Sequence, residues 1–174
     1  MPPERLVFVD ECGTTIRLTP LYARAPRGDR ARDQAPRNHR QNTTVLAALT
    51  SHAGISAAML IEGATDRVVF EHFVEQILVP TRSPGQVVIW DNLSVHKSQR
   101  ARERIEACGC AVLFLPAYSP DFNPIEQAFS KIKTAVRRAK QREQDGLWEA
   151  IGAALASVTP TDTYGWFQHC GYAT

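Results

Sequence analysis

Short, unbroken apolar runs punctuate the first half of the chain. Leu6-Val7-Phe8-Val9 is one, and it stops at Asp10-Glu11-Cys12-Gly13. A run of that length without polar alternation predicts a strand covered on both faces. Thr14 to Ala23 keeps a strand-like composition after Gly13 and predicts an antiparallel hairpin partner. Residues 24–42 hold Pro26, Gly28 and Pro36 and few apolar side chains, so they read as a loop. Thr43 to Thr50 and Ile55 to Ile61 read as two further strands, separated by Ser51-His52-Ala53-Gly54.

Helical periodicity then takes over. Thr65 can cap a helix in which Val69, Phe73 and Ile77 recur every four residues up to Pro80. Val87-Val88-Ile89-Trp90 is a second dense apolar run, again ending in an aspartate, Asp91. Ser98 to Ala107 reads as a polar helix stopped by Gly109, and Ala111 to Leu115 as a third buried strand. Ile125, Ala128, Phe129, Ile132, Val136 and Ala139 recur at three-and-four spacing. A further amphipathic helix follows from Leu147 to Val158, and Tyr164-Gly165-Trp166-Phe167 reads as a short aromatic tail. The connections into Val87 and Ala111 are long enough for crossovers to parallel strands. The order predicts an α/β plan of three layers, an antiparallel meander beside a parallel half, in a single domain over residues 1–174.

Composition narrows the classes. With 174 residues and 44% hydrophobic content, the chain can bury one ordinary core, which excludes disorder as a whole. No apolar run approaches the roughly 18 residues that span a bilayer, and Met1-Pro2-Pro3-Glu4-Arg5 lacks the plan of a secretory signal. Cysteines 12, 108, 110 and 170 are too scattered for a disulfide scaffold, and Cys108-x-Cys110 lacks the spacing of a zinc site, so free thiols are expected. Together these features predict a cytoplasmic protein without a membrane partner.

The net charge of +2 says little, but its distribution says more. Arg24, Arg27, Arg30, Arg32, Arg37 and Arg40 form one basic cluster, and Lys131, Lys133, Arg137, Arg138, Lys140 and Arg142 form another. One such cluster is ordinarily a solvated face, whereas two in a small domain bring phosphate binding into view. The first holds too little apolar material to bury itself, so its ordering is expected to depend on a nucleic acid.

Three acids stand where chemistry is often placed. Asp10 and Asp91 each end a predicted buried strand, and sites in open α/β sheets form at carboxyl ends of strands. Each alone is equally an ordinary loop-initiating aspartate. Glu126 lies in Asn123-Pro124-Ile125-Glu126, which also reads as a capping box with Asn at the cap, Pro at the first helical position and Glu at the third. Three carboxylates gathered in one crevice would repel each other without a cation. A hard divalent ion with oxygen ligands resolves that, and two such ions serve in-line displacement at phosphorus.

Phe8-Val9-Asp10-Glu11, Trp90-Asp91-Asn92-Leu93-Ser94-Val95-His96-Lys97 and Leu115-Pro116-Ala117-Tyr118-Ser119-Pro120-Asp121-Phe122-Asn123-Pro124-Ile125-Glu126 together resemble DDE-superfamily transposases of bacterial insertion sequences related to mariner. The resemblance runs from about residue 5 to about residue 140, and the 34 residues between Asp91 and Glu126 fit that family's spacing. It implies a ribonuclease-H-like fold, a mixed five-stranded sheet with helices on both faces, in which the first and fourth strands are neighbours. It further implies that Asp10, Asp91 and Glu126 form a catalytic and metal-binding triad using Mg2+ or Mn2+, with two ions expected. The implied activity is cutting of transposon ends and joining of the 3′-hydroxyl to target DNA. His96 and Lys97, within the motif, are candidate phosphate contacts; Arg24, Arg27, Arg30, Arg32, Lys131 and Lys133 are the candidate DNA contacts of the basic clusters.

The chain departs from the family at Phe129, where tryptophan is frequent, and at its front, where such transposases carry helix-turn-helix modules. It is therefore expected to be a catalytic domain alone, acting on bacterial nucleoid DNA. An upstream helix-turn-helix polypeptide and a second copy of the chain are the partners this leaves open. A ribonuclease-H-like nuclease that only hydrolyses, or a nucleic-acid-binding remnant without catalysis, are the competing readings.

Overall fold

The computed structural model describes residues 1–32, 34, 42–91, 96–117 and 119–172. Five strands, β1 (Leu6–Thr14), β2 (Thr43–Thr50), β3 (Gly54–Glu62), β4 (Val87–Trp90) and β5 (Ala111–Phe114), form one sheet in the order β3-β2-β1-β4-β5. β1 pairs with β2, and β2 with β3, in antiparallel register; β1–β4 and β4–β5 are parallel. Helices α1 (Arg67–Phe73), α2 (Gln99–Ala107), α3 (Ile125–Ala139), α4 (Gln144–Ala156) and α5 (Pro160–His169) cover it. The result is the mixed three-layer α/β architecture that the order of apolar runs predicts.

The continuous apolar runs are explained by burial from both sides. Leu6 and Phe8 of β1 and Val87 and Ile89 of β4 face α3, α4 and α5, where Phe129, Ile132, Ile151 and Phe167 close the core. Val7, Val9, Val88 and Trp90, alternating with them, face Phe70 and Phe73 of α1 and Ala101 and Ile105 of α2. Phe8 meets Phe167 edge-to-face with ring centroids 5.4 Å apart. Gly54 makes the tight turn into β3 possible: its φ is +73°, and a Cβ there would stand 2.8 Å from the carbonyl oxygen of Val158.

Several elements differ from expectation, each for a local reason. Thr14 to Ala23 does not form a hairpin strand. β1 itself runs on to Thr14, β2 takes its antiparallel edge, and Arg142 Nη1 donates to the carbonyl oxygens of Ile16 (2.9 Å) and Leu18 (3.2 Å). β5 is not buried but lies at the sheet edge, with Leu113 51% exposed and Phe114 38% exposed. Asp66, not Thr65, caps α1, accepting from Val69 N–H at 2.8 Å. Past Phe73 the helix widens into a π turn over Val74–Leu78, so Phe70, Phe73, Val74 and Leu78 form the buried face and Val69 and Ile77 flank it. The aromatic tail is helix α5, started by a capping box of Thr159 and Asp162 with Pro160 in its first turn. All four cysteines are free thiols. No helix among the described residues is long and apolar enough to cross a membrane.

Candidate active site

Parallel pairing of β1 with β4 sets Val9 opposite Trp90, so the next residues, Asp10 and Asp91, stand at the same level. Asp91 follows the end of β4 as predicted, whereas Asp10 is a mid-strand residue, because antiparallel pairing with β2 carries β1 on to Thr14. Strand alternation aligns Asp10 with Phe8 and Cys12 on the side of the sheet that α3 covers, while Asp91 follows β4 by one residue. α3 begins beside this edge and carries Glu126 in its first turn. The two predicted strand-end aspartates are therefore neighbours, with the predicted glutamate on the helix above them.

Asp10 is 7% exposed. Its Oδ1 accepts from the Glu11 backbone N–H at 2.7 Å, and its Oδ2 accepts from Asn123 Nδ2 at 2.7 Å. Burial pushes its carboxyl up to about 7, and the charges of Glu126 and Asp91 add to the rise, while the Glu11 N–H and His96 act against it. Desolvation and the repulsion of two other carboxylates thus outweigh the groups that favour its charged form.

Asp91 is half-buried and its Oδ1 is bonded to His96 Nδ1. His96 is wholly buried, its ring 4.5 Å from that of Phe70, which in turn packs at 5.3 Å on Trp90. The imidazole, a candidate phosphate contact from the sequence, stands buried in the α1–α2 layer with its Nδ1 on Asp91. Lys97, next to it, is exposed.

Glu126 does not complete a capping box. Pro124 occupies the cap position, no side chain bonds the helix start, and Asn123 turns its amide away to Asp10. Only the backbone part of the motif survives, Glu126 N–H donating to Asn123 O at 3.1 Å. The Glu126 side chain is exposed, near the positive end of the helix dipole. Lys133, two turns along α3, is half-buried near Cys12, whose thiol burial pushes up to about 12 against the lysine's opposing charge. Among the described residues no three His, Cys, Asp or Glu side chains stand together as a finished metal-ligand group. The charges of Asp91 and Glu126 both act on Asp10, and Asn123 Oδ1 beside it is buried without a protein partner.

The basic clusters divide. Arg24, Arg27, Arg30 and Arg32 are exposed on an irregular segment, while Arg37 and Arg40 lie outside the described residues. Lys131 is engaged internally, donating to Asp162 Oδ2 at 2.5 Å and Ser157 O at 2.9 Å, so it ties α3 to α5. Arg142 is engaged by the carbonyls after β1. Tyr118 lies outside the described residues, and Trp90 is core. Sequence reasoning passed over Asn123 as anything but a cap; a polar residue immediately before Pro124 was its one signal, and its partner is 113 residues away.

The sequence profile of the DDE superfamily endonucleases matches residues 5–147. No curated protein matches the chain. Among solved structures, the chain is similar to the Mos1 transposase in its paired-end complex with the left transposon end, at 18% identity and a TM-score of 0.72, over 95% of this chain and 52% of that one. It is similar to the protein of the Mos1 strand transfer complex at 19% identity and a TM-score of 0.73, over 95% and 51%. The catalytic domain of the Mos1 mariner transposase matches at 14% identity and a TM-score of 0.67, over 95% and 76%. The chain thus spans about half the length of the transposases in those complexes.

Proposed function

The chain belongs to the DDE superfamily endonucleases, and we propose that it is the catalytic portion of an insertion-sequence transposase that cuts transposon ends and joins them to target DNA. The observation that carries this reading is Asp10: buried in the middle of β1, beside Asp91 just past the end of β4, and lifted to about 7 by burial and by the charges of Glu126 and Asp91. Asp10, Asp91 and Glu126 would hold the divalent cation, Mg2+ or Mn2+, both of which are named with the mariner Mos1 paired-end complex. When bound there, such a cation supplies neutralisation of the carboxylates and Lewis-acid polarisation at the phosphodiester. The protein's own groups do the rest. Glu11 N–H and Asn123 orient Asp10, His96 orients Asp91, and α3 presents Glu126. Arg24, Arg27, Arg30, Arg32, Lys97 and Lys133 offer cations to the DNA backbone, which position a duplex without reading its sequence.

The test is an assay on a duplex bearing a transposon end, with Mg2+ or Mn2+ and a supplied 3′-hydroxyl end. Cleavage and joined product are expected, and both should vanish in Asp10→Asn. Cleavage without joining would reduce the reading to a hydrolytic nuclease, and neither product at any metal concentration would refute it.

A further inference from the structure

We propose that Asn123 is a positioning residue that sets how Asp10 and Glu126 stand toward one another, and thereby the affinity of their site for a divalent cation. This rests on the reading of those carboxylates as metal ligands. Two bonds join at this one residue. Its side chain donates from Nδ2 to Asp10 Oδ2 at 2.7 Å, and its carbonyl oxygen accepts the backbone N–H of Glu126 at 3.1 Å. β1, which carries Asp10, is therefore riveted to the first turn of α3, which carries Glu126, through a side chain that is 4% exposed.

The chemistry of an amide suits that position. A lysine there would discharge Asp10 and compete with a metal ion, and an aspartate would repel it. The amide N–H2 holds one carboxylate oxygen without removing its charge, and each oxygen of Asp10 still has a lone pair to give. A capping role would have left Asn123 at the surface, its oxygen on the helix N–H groups. Instead no side chain caps α3, and Asn123 Oδ1 is buried with no protein partner, so the local bonds were given up in favour of Asp10. Residues that orient metal ligands in this way typically change metal affinity about 10–100-fold when removed.

The experiment compares the full chain with Asn123→Ala and with Asn123→Leu, which keeps the volume and so guards against a collapse of the α3 start. Mn2+ binding is read by electron paramagnetic resonance of the free ion, and DNA cleavage is measured across a Mn2+ series. In both variants Mn2+ is expected to bind about 10–100-fold more weakly, with the maximal cleavage rate largely regained at saturating metal. A residue that merely stabilised the fold would lower the melting temperature and leave the Mn2+ affinity unmoved, and that result overturns the proposal. If the wild-type chain binds no Mn2+, the metal reading of the three acids fails and takes this inference with it. Binding in the wild type that is unchanged in the variants removes only the role of Asn123.

Discussion

His96, wholly buried, directs its Nδ1 to Asp91 Oδ1, five residues earlier and half-exposed. The ring is clamped against Phe70, so the aspartate at the end of β4 is oriented from the α1–α2 layer while its neighbour Asp10 is oriented from α3. Each acid of the pair has its own support, drawn from opposite faces of the sheet. Replacing His96 with Ala should lower cleavage about 10–100-fold, as loss of a ligand-orienting partner does. It should also destabilise the protein by about 1–3 kcal/mol, since the hydrogen bond from the buried imidazole to Asp91 is lost. Near-wild-type cleavage by a folded His96→Ala protein would remove His96 from the site.

Asp10 predicts a pH dependence of stability. Its folded-state value of about 7 lies above its ordinary 3.8. The folded state therefore holds the proton more tightly, and between pH about 4 and about 7 the metal-free protein loses stability as pH rises. Below that window the acid is protonated in both states; above it the full penalty applies. At roughly 1.4 kcal/mol per unit, the loss is at most about 4 kcal/mol. Thermal unfolding of wild type and Asp10→Asn across the window should show the decline only in the wild type.

A bound divalent cation should reverse that penalty. At 100 times its dissociation constant a ligand specific to the folded state adds about 2.7 kcal/mol, worth roughly 2–4 °C per kcal/mol in a domain of this size. Melting with Mn2+, then with excess chelator, should show the gain and its loss. Asp91→Asn should abolish both the gain and DNA cleavage while the metal-free melting temperature holds or rises, because the change relieves repulsion on Asp10.

The α3–α5 tie behaves oppositely with pH. Hydrogen bonding from Lys131, then from Thr159, brings Asp162 down to about 2 from 3.8. The stability it contributes is complete above pH about 4 and fades as pH falls toward 2. Asp162→Asn should destabilise by about 1 kcal/mol at neutral pH, through the lost cap and weakened ion pair, and by much less at pH about 2. Chemical denaturation at the two pH values measures the difference.

The arginine segment should act through phosphates. Replacing Arg24, Arg27, Arg30 and Arg32 with Ala should weaken DNA binding equally for all sequences, and every phosphate interaction removed should flatten the log–log salt dependence by about 0.9. Fluorescence anisotropy at several salt concentrations gives the slope. An unchanged slope would place the DNA elsewhere on the surface.

The apolar runs at Leu6–Val9 and Val87–Trp90 and the periodic face of α3 are local patterns, and they determined which segments became core strands and a core helix. Asp91 just past β4 and Glu126 in the first turn of α3 were equally legible, because they stand at fixed offsets from those patterns. Asp10 read as a strand end, and only its pairing with β2 shows that β1 continues through it. Where the pattern was neutral, only tertiary structure decided. β5 has the composition of a buried strand, yet it is exposed because nothing pairs beyond it in the strand order. Lys131 and Arg142 read as binding cations, and the fold gives them protein partners as well, Asp162 for the first and the Ile16 and Leu18 carbonyls for the second. Asn123 fitted a helix cap, but its Nδ2 donates to a carboxylate 113 residues away, and its Oδ1 caps nothing. Hydrophobic periodicity is written in neighbouring residues, so it can be read along the chain. The partner of a polar side chain is chosen among whatever the fold brings within about 3 Å, and a hydrogen bond to an ionised carboxylate is stronger than one between neutral groups.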